Sequence, residues 1–98
     1  MADVYITRED TATKGRYFYR PEGGGEEAEL TFSKVSDTRI IVDHTGVPDS
    51  MRGQGVGQAL SLRAVEDARA KGVTIIPLCP FFKAQALRHP DWQDVVDL

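Results

Sequence analysis

The chain has 98 residues, 41% apolar and 28% charged, with a formal net charge of −3. That length supports one core and therefore one domain, 1–98. The negative balance argues against an electrostatic grip on nucleic acid, which needs clustered Lys and Arg to displace counterions, though it leaves room for a local basic patch around a phosphate, and no apolar run nears the roughly 20 residues that span a bilayer.

The first half reads as β. Val4-Tyr5-Ile6-Thr7 and Arg16-Tyr17-Phe18-Tyr19-Arg20 are short runs rich in residues that favour strands. Pro21 to Glu26, with three consecutive glycines, is a turn with a mobile tip. From Ala28 to Lys34 apolar and polar residues alternate, the period of a half-buried strand with Leu30 and Phe32 facing the core. A turn at Ser36-Asp37 leads into a longer strand, Arg39 to Val47. Its Ile40-Ile41-Val42 run predicts a central position covered on both faces.

The second half changes period. Val56 to Lys71 is rich in helix formers, and Gly72 is placed to end it in a left-handed conformation. Val56, Ala59, Leu60, Ala64 and Ala68 share one helical face. Val73 to Leu78 is a β-branched run that reads as a buried strand. Its connection to the Arg39–Val47 strand passes through a helix, which predicts a parallel pair. Phe81 to Arg88 forms a short helix stopped before Pro90, and Asp91 to Leu98 adds one more helical turn. Trp92 is expected to cap the core. The order is β-β-β-β-α-β-α, an α+β fold with a mixed, mostly antiparallel sheet.

The segment richest in chemical meaning is Arg52-Gly53-Gln54-Gly55-Val56-Gly57, between a strand and a helix. Glycines at alternate positions let a ligand approach the backbone, and a helix start presents free N–H groups to an anion. Arg52 adds a cation, so the loop suits a diphosphate. A nucleotide P-loop is excluded, because Gln58-Ala59 stands where Lys and Ser/Thr are needed. A dinucleotide fingerprint fails as well, with Gln58 or Leu60 at its last glycine position.

What the loop does meet is Arg/Gln-x-x-Gly-x-Gly/Ala, and from Arg39 onward the chain resembles the GCN5-related N-acetyltransferases. Leu78-Cys79-Pro80 and Arg88-His89-Pro90 make it similar to the small members of about this length, which lack the first two helices and last strands of the larger ones. The resemblance implies acetyl-CoA (or coenzyme A) as co-substrate, lying where the fourth and fifth strands part. The backbone of Arg52, Gly53, Gln54, Gly55, Val56 and Gly57 would hold its pyrophosphate. Val47 would lie beside the pantetheine arm, with Lys83 near the phosphates. The implied reaction is acetyl transfer to a primary amine, a protein lysine or N-terminus among the candidates. The larger family often places an Asn and an acidic Tyr after the fifth strand. The corresponding Phe81-Phe82-Lys83-Ala84-Gln85-Ala86-Leu87 has neither.

His44 and Cys79 are the candidate catalytic pair, matching a His and Cys that the resemblance implies. Each stands near a strand end where both can face the gap. A histidine relays protons near neutral pH, and a thiol can protonate a leaving thiolate or take the acetyl group itself. The blander readings are a small buried hydrophobe for Cys79 and a core hydrogen bond for His44. A module that binds acyl-CoA without turnover, as a sensor or interaction partner, is the alternative to an enzyme. The single cysteine has no disulfide partner, His44 and His89 show no metal-ligand spacing, and no metal site is expected. The start, Met1-Ala2-Asp3-Val4, lacks the features of a signal peptide, so a cytoplasmic location is expected.

Overall fold

The structure is a computed structural model that describes residues 5–21 and 23–98. Val4 of the first expected strand and Glu22 of the glycine turn lie outside the described residues. Among these residues the elements are β1 (Thr7–Asp10), β2 (Lys14–Tyr19), β3 (Ala28–Ser36), β4 (Arg39–Gly46), α1 (Val56–Lys71), β5 (Thr74–Pro77) and α2 (Pro80–Leu87). Short 3₁₀ turns occupy Asp49–Met51 and Pro90–Trp92. The first strand begins later than the sequence suggests, because its pairing with β2 sets its limits: Thr7 opposes Phe18 and Asp10 opposes Gly15.

The strands form one sheet in the order β1-β2-β3-β4-β5. The first four pair antiparallel, and β5 joins β4 in parallel from Arg39↔Thr74 to Val42↔Pro77. Alternation along β3 buries Leu30 and Phe32, on the same side as Tyr17 and Val42. Val56, Leu60, Ala64, Val65 and Ala68 of α1 and Phe82 and Ala86 of α2 pack into that same cluster. Both helices therefore cover one face. The opposite face carries Arg16, Glu29, Thr31, Ser33, Asp43 and His44, and Ile41 stays half-buried there. The apolar run Ile40-Ile41-Val42 is thus not covered on both sides. The polar neighbours on β2 and β3 make that face a solvated one, as is common in antiparallel sheets.

The C-terminal segment forms the expected turn only as far as Val95, and its last residues do something else. After Trp92 the chain makes one further hydrogen-bonded turn, the Val95 and Val96 N–H groups both donating to the Trp92 carbonyl, and only then does Val96 bridge Ile75 in parallel. Ile75 N–H donates to the Val95 carbonyl at 2.7 Å, and Asp97 N–H donates to the Ile75 carbonyl at 2.9 Å. Two adjacent valines serve here as a cover for the outer edge of β5, which would otherwise expose unpaired backbone. Trp92 is buried, its ring stacked with those of Phe82 and His89.

Helix α1 is tied to the far side of the sheet by a charged knot. The buried Tyr17 hydroxyl donates to Asp67 Oδ2 at 2.8 Å and accepts from Arg8 Nη1 at 2.8 Å. Arg63 bonds the same Asp67 and donates to the Ile6 carbonyl at 3.0 Å. Burial raises the Tyr17 phenol above its ordinary range, with the Asp67 bond adding to the rise. Burial also pushes the Asp67 carboxyl up, but the Tyr17 hydroxyl and the Arg63 and Arg8 guanidinia outweigh it and hold the carboxyl low.

Asp67→Ala removes the acceptor of a buried hydroxyl and is expected to cost about 1 kcal/mol in urea denaturation at pH 7. Because the folded-state value of Asp67 is depressed, its stabilisation is complete above the ordinary 3.8 and is lost as pH falls through the folded value. The difference between wild type and Asp67→Ala should therefore close in strong acid. A gap that persists unchanged there would place the effect outside this carboxylate.

Candidate functional site

The site begins with an extra residue. Phe32 opposes Val42 and Thr31 opposes His44, so Asp43 is a β-bulge in β4. The Thr31 hydroxyl donates to the Asp43 carboxylate, and the Ser33 hydroxyl donates to its other oxygen at 3.2 Å. Asp43 and His44 consequently share the open face. The next residue, Thr45, opposes the fully buried Leu30 and turns to the helix face. Beyond the bulge β4 still pairs with β3 as far as Gly46, but pairing with β5 has stopped at Val42. The chain after β5 instead turns inward, the Leu78 and Cys79 N–H groups both donating to the Val42 carbonyl. A gap opens between the strands, and backbone groups of β4 on that side have no strand partner among the described residues.

From this gap an open groove of about 1360 Å³ runs over the glycine loop and between the two helices. Thr45 and Val47 line its strand end, Arg52 to Gly57 its middle, and Ala59, Leu62, Phe81, Gln85, His89 and Trp92 the part between α1 and α2. Gly53 (φ +80°) and Gly55 (φ +75°) are both in the left-handed region, where a side chain is strained. Gly55 is the N-cap of α1 and offers no side-chain cap, and the first turn holds no acidic residue. The N–H groups of Gly53, Gly55, Val56, Gly57 and Gln58 have no acceptor among the described residues. Five donors beside the positive end of a 16-residue helix form a cradle for an anion. Arg52 is exposed and pairs with Asp49 at 3.0 Å, a surface contact that a stronger anion can displace at little cost.

The residues singled out from sequence are distributed unevenly. Val47 and the stretch from Arg52 to Gly57 all line the groove. Lys83 is exposed on α2 and is not part of the groove lining. Cys79 is buried at the start of α2, and its thiol donates to Thr45 Oγ1 at 3.3 Å. His44 is exposed on the other face, its Nε2 close to Gly46, where a Cβ would approach to 3.2 Å. The bulge thus sets His44 and Cys79 on opposite sides of β4, both at the gap but not in one cluster. Among the described residues no group of three or more His, Cys, Asp or Glu side chains is placed to hold a metal ion.

Sequence reasoning missed Thr45, Gln85 and His89. Thr45 takes its inward direction from the bulge, which leaves no mark in the letters. Phe81, Gln85 and His89 recur every fourth residue, a helical stripe that was available to see. His89 Nδ1–H donates to the Gln85 carbonyl at 2.8 Å, and its ring lies parallel to Trp92 at 4.2 Å.

Phe81 closes over the loop. A Cβ on Gly57 would lie 2.5 Å from the tip of the Phe81 ring, whereas one on Gly55 would meet nothing nearer than 4.0 Å. Gly57→Ala and Phe81→Ala should therefore couple by about 1 kcal/mol in a double-mutant cycle of unfolding. Gly55→Ala should cost about 1–2 kcal/mol through its backbone alone, with or without Phe81. Equal coupling of both glycines to Phe81 would refute this division.

With the geometry in hand, two likenesses bear on identity. The NMR solution structure of a GCN5-like protein from Staphylococcus aureus superposes with a TM-score of 0.71 at 34% sequence identity, covering 99% of this chain and 91% of that one. The sequence profile of the GCN5-related N-acetyl-transferases matches residues 16–95, from β2 to the C-terminal segment that covers β5. The anion cradle at the start of α1, the gap between β4 and β5 and the extent of that match lead to one conclusion: this chain belongs to the GCN5-related N-acetyltransferase family.

Proposed function

We propose that the protein transfers an acetyl group from acetyl-CoA to a primary amine. The observation that carries the reading is the row of five N–H groups without acceptors, facing a groove that leads to the gap in the sheet. Pyrophosphate would be held by the N–H groups of Gly53 and of Gly55 to Gln58, with Arg52 released from Asp49 to add charge. The arm would run past Val47 toward Thr45, and Lys83, on the outer side of α2, would reach phosphate only from solvent.

Acetyl-CoA supplies an activated acetyl group as a thioester. The amine nitrogen bonds to the carbonyl carbon, the carbon–sulfur bond breaks, and an amide and CoA thiol are released. His44, on the open face, would take the proton from the incoming amine. Cys79 would give a proton to the departing thiolate and recover one through the Thr45 hydroxyl that it already touches. Free backbone N–H groups along β4 beyond the bulge would polarise the carbonyl as charge builds on its oxygen. The placement of His44 and Cys79 on opposite sides of β4 suits direct transfer through the gap, with the cofactor on one side and the amine on the other. The exposed approach to His44 favours an amine carried on a large molecule, such as a protein lysine or N-terminus.

The same separation favours a second reading, a module that binds acyl-CoA without turnover. Acetyl-CoA binding by calorimetry, combined with acetylation of a lysine-rich peptide mixture followed by mass spectrometry, decides between them. Under the enzyme reading wild type binds and acetylates, and Gly55→Val loses binding at least about tenfold through strain and bulk at the cradle. His44→Gln should keep its affinity and lose about a hundredfold in rate. Binding with no acetylated product supports the module. Absence of binding overturns both.

A further inference from the structure

Asp43 is the charged group of the open sheet face that the proposed chemistry leaves without a task. The neighbouring carboxylates of Glu9, Glu27 and Glu29 all bond Arg16, Glu9 at 2.8 Å and Glu29 at 3.0 Å. Asp43 is exposed and makes no ion pair among the described residues. Its direction is nevertheless fixed. The Thr31 hydroxyl donates to one of its oxygens, and the Ser33 hydroxyl donates to the other at 3.2 Å. Such neutral donors orient a carboxylate without cancelling its charge. The bulge keeps that charge on the side of the sheet that carries His44, the next residue.

The same face is concave there. A shallow hollow of about 480 Å³ lies against Asp43, Thr31, Arg16, Glu9 and Lys14. Glu9 opposes Arg16, Arg16 opposes Thr31 and Thr31 opposes His44, so this row leads from β1 across the hollow to the proposed base. Four strands span about 14 Å at about 4.8 Å per step, which suits several residues of a polypeptide better than one small amine.

We infer that the hollow seats a polypeptide acceptor and that Asp43 selects one carrying a second cation beside the target lysine. The inference rests on the acetyl-transfer reading above and narrows its acceptor. An Arg or Lys side chain of the incoming segment pairs with Asp43 while the target amine reaches His44. Alternate side chains of an extended segment share a face about 7 Å apart, which places that cation two residues from the target. Lys14, also without an ion pair among the described residues, stands opposite Ser33 and two strands from β4. A longer run of cations would meet it, so one flanking cation is preferred to a basic tail.

The test compares kcat/KM for two peptides at saturating acetyl-CoA, each with one lysine flanked two residues away by Arg or by Gln. Wild type should favour the Arg peptide about three- to fivefold at low salt, the scale of an exposed charge pair. Most of that preference should vanish in about 1 M salt, where such a pair is screened. Asp43→Asn, which keeps the shape of the side chain, should treat both peptides alike. Asp43→Lys should invert the order and favour a third peptide with Glu at the flanks, an inversion that a structural role cannot produce. Should Asp43→Lys fold poorly, Asp43→Asn still reports, since the readout is a ratio of two peptides on one protein. Equal rates for the Arg and Gln peptides with wild type, or variants that keep the Arg preference, overturn the inference and leave acetyl transfer intact. Faster acetylation of a free diamine such as cadaverine than of the Arg peptide overturns the polypeptide acceptor. Calorimetry with acetyl-CoA on the same samples separates these results from failure of the reading beneath them. Binding without acetylation of any amine removes acetyl transfer and this inference together.

Discussion

Between Val42 and His44 the fourth strand carries one residue more than the third, and the rest of the site follows from that mismatch. Asp43 is held outward by the Thr31 and Ser33 hydroxyls, so every later residue of β4 changes face relative to simple alternation. Thr45 turns inward to meet the Cys79 thiol, and His44 turns outward into solvent. At the same level β5 leaves β4, because Pro77 ends the ladder and the next two N–H groups fold back onto the Val42 carbonyl. A bulge and a strand end at one level make a gap in a sheet that is otherwise closed by hydrogen bonds.

The groove that starts at this gap is chemically polarised along its length. Its middle is made of donors, the N–H groups at the start of α1, with little else near them. Its far part is lined by Leu62, Phe81, Gln85 and His89. The groove is held open by elements anchored elsewhere. Helix α1 is fixed in its C-terminal half, by the Tyr17–Asp67–Arg8 knot and by Arg69, which bonds Asp94 at 2.7 Å. Its first turn is left free to face the ligand.

Restraint on the opposite wall comes from packing. Phe82 and Ala86 bury one side of α2, and Trp92 lies under its end with His89 stacked upon it. The other side of that short helix presents Phe81 and Gln85 to the groove. Phe81 rests its ring tip on Gly57, a contact that depends on the absence of a single methyl group. The glycine loop therefore serves two ends. Gly53 and Gly55 supply backbone conformations that side chains resist, and Gly57 supplies room for a neighbour.

The amino-acid sequence by itself determined the limits of α1, since Gly55 and Gly72 bound a run of helix formers and local capping needs no distant partner. It also determined the strands of β2 to β4, the burial of Leu30 and Phe32 and the glycine loop before α1, because periodicity and glycine spacing are local properties. Tertiary structure alone decided which way His44 faces. A bulge arises from pairing with β3, and one unmatched residue reverses the side of every residue after it. It decided too that Val96 bridges Ile75, for the edge it covers exists only once the sheet is built. Gln85 carries no local sign of special use. That its Oε1 is buried without a hydrogen-bond partner became visible only in the folded chain.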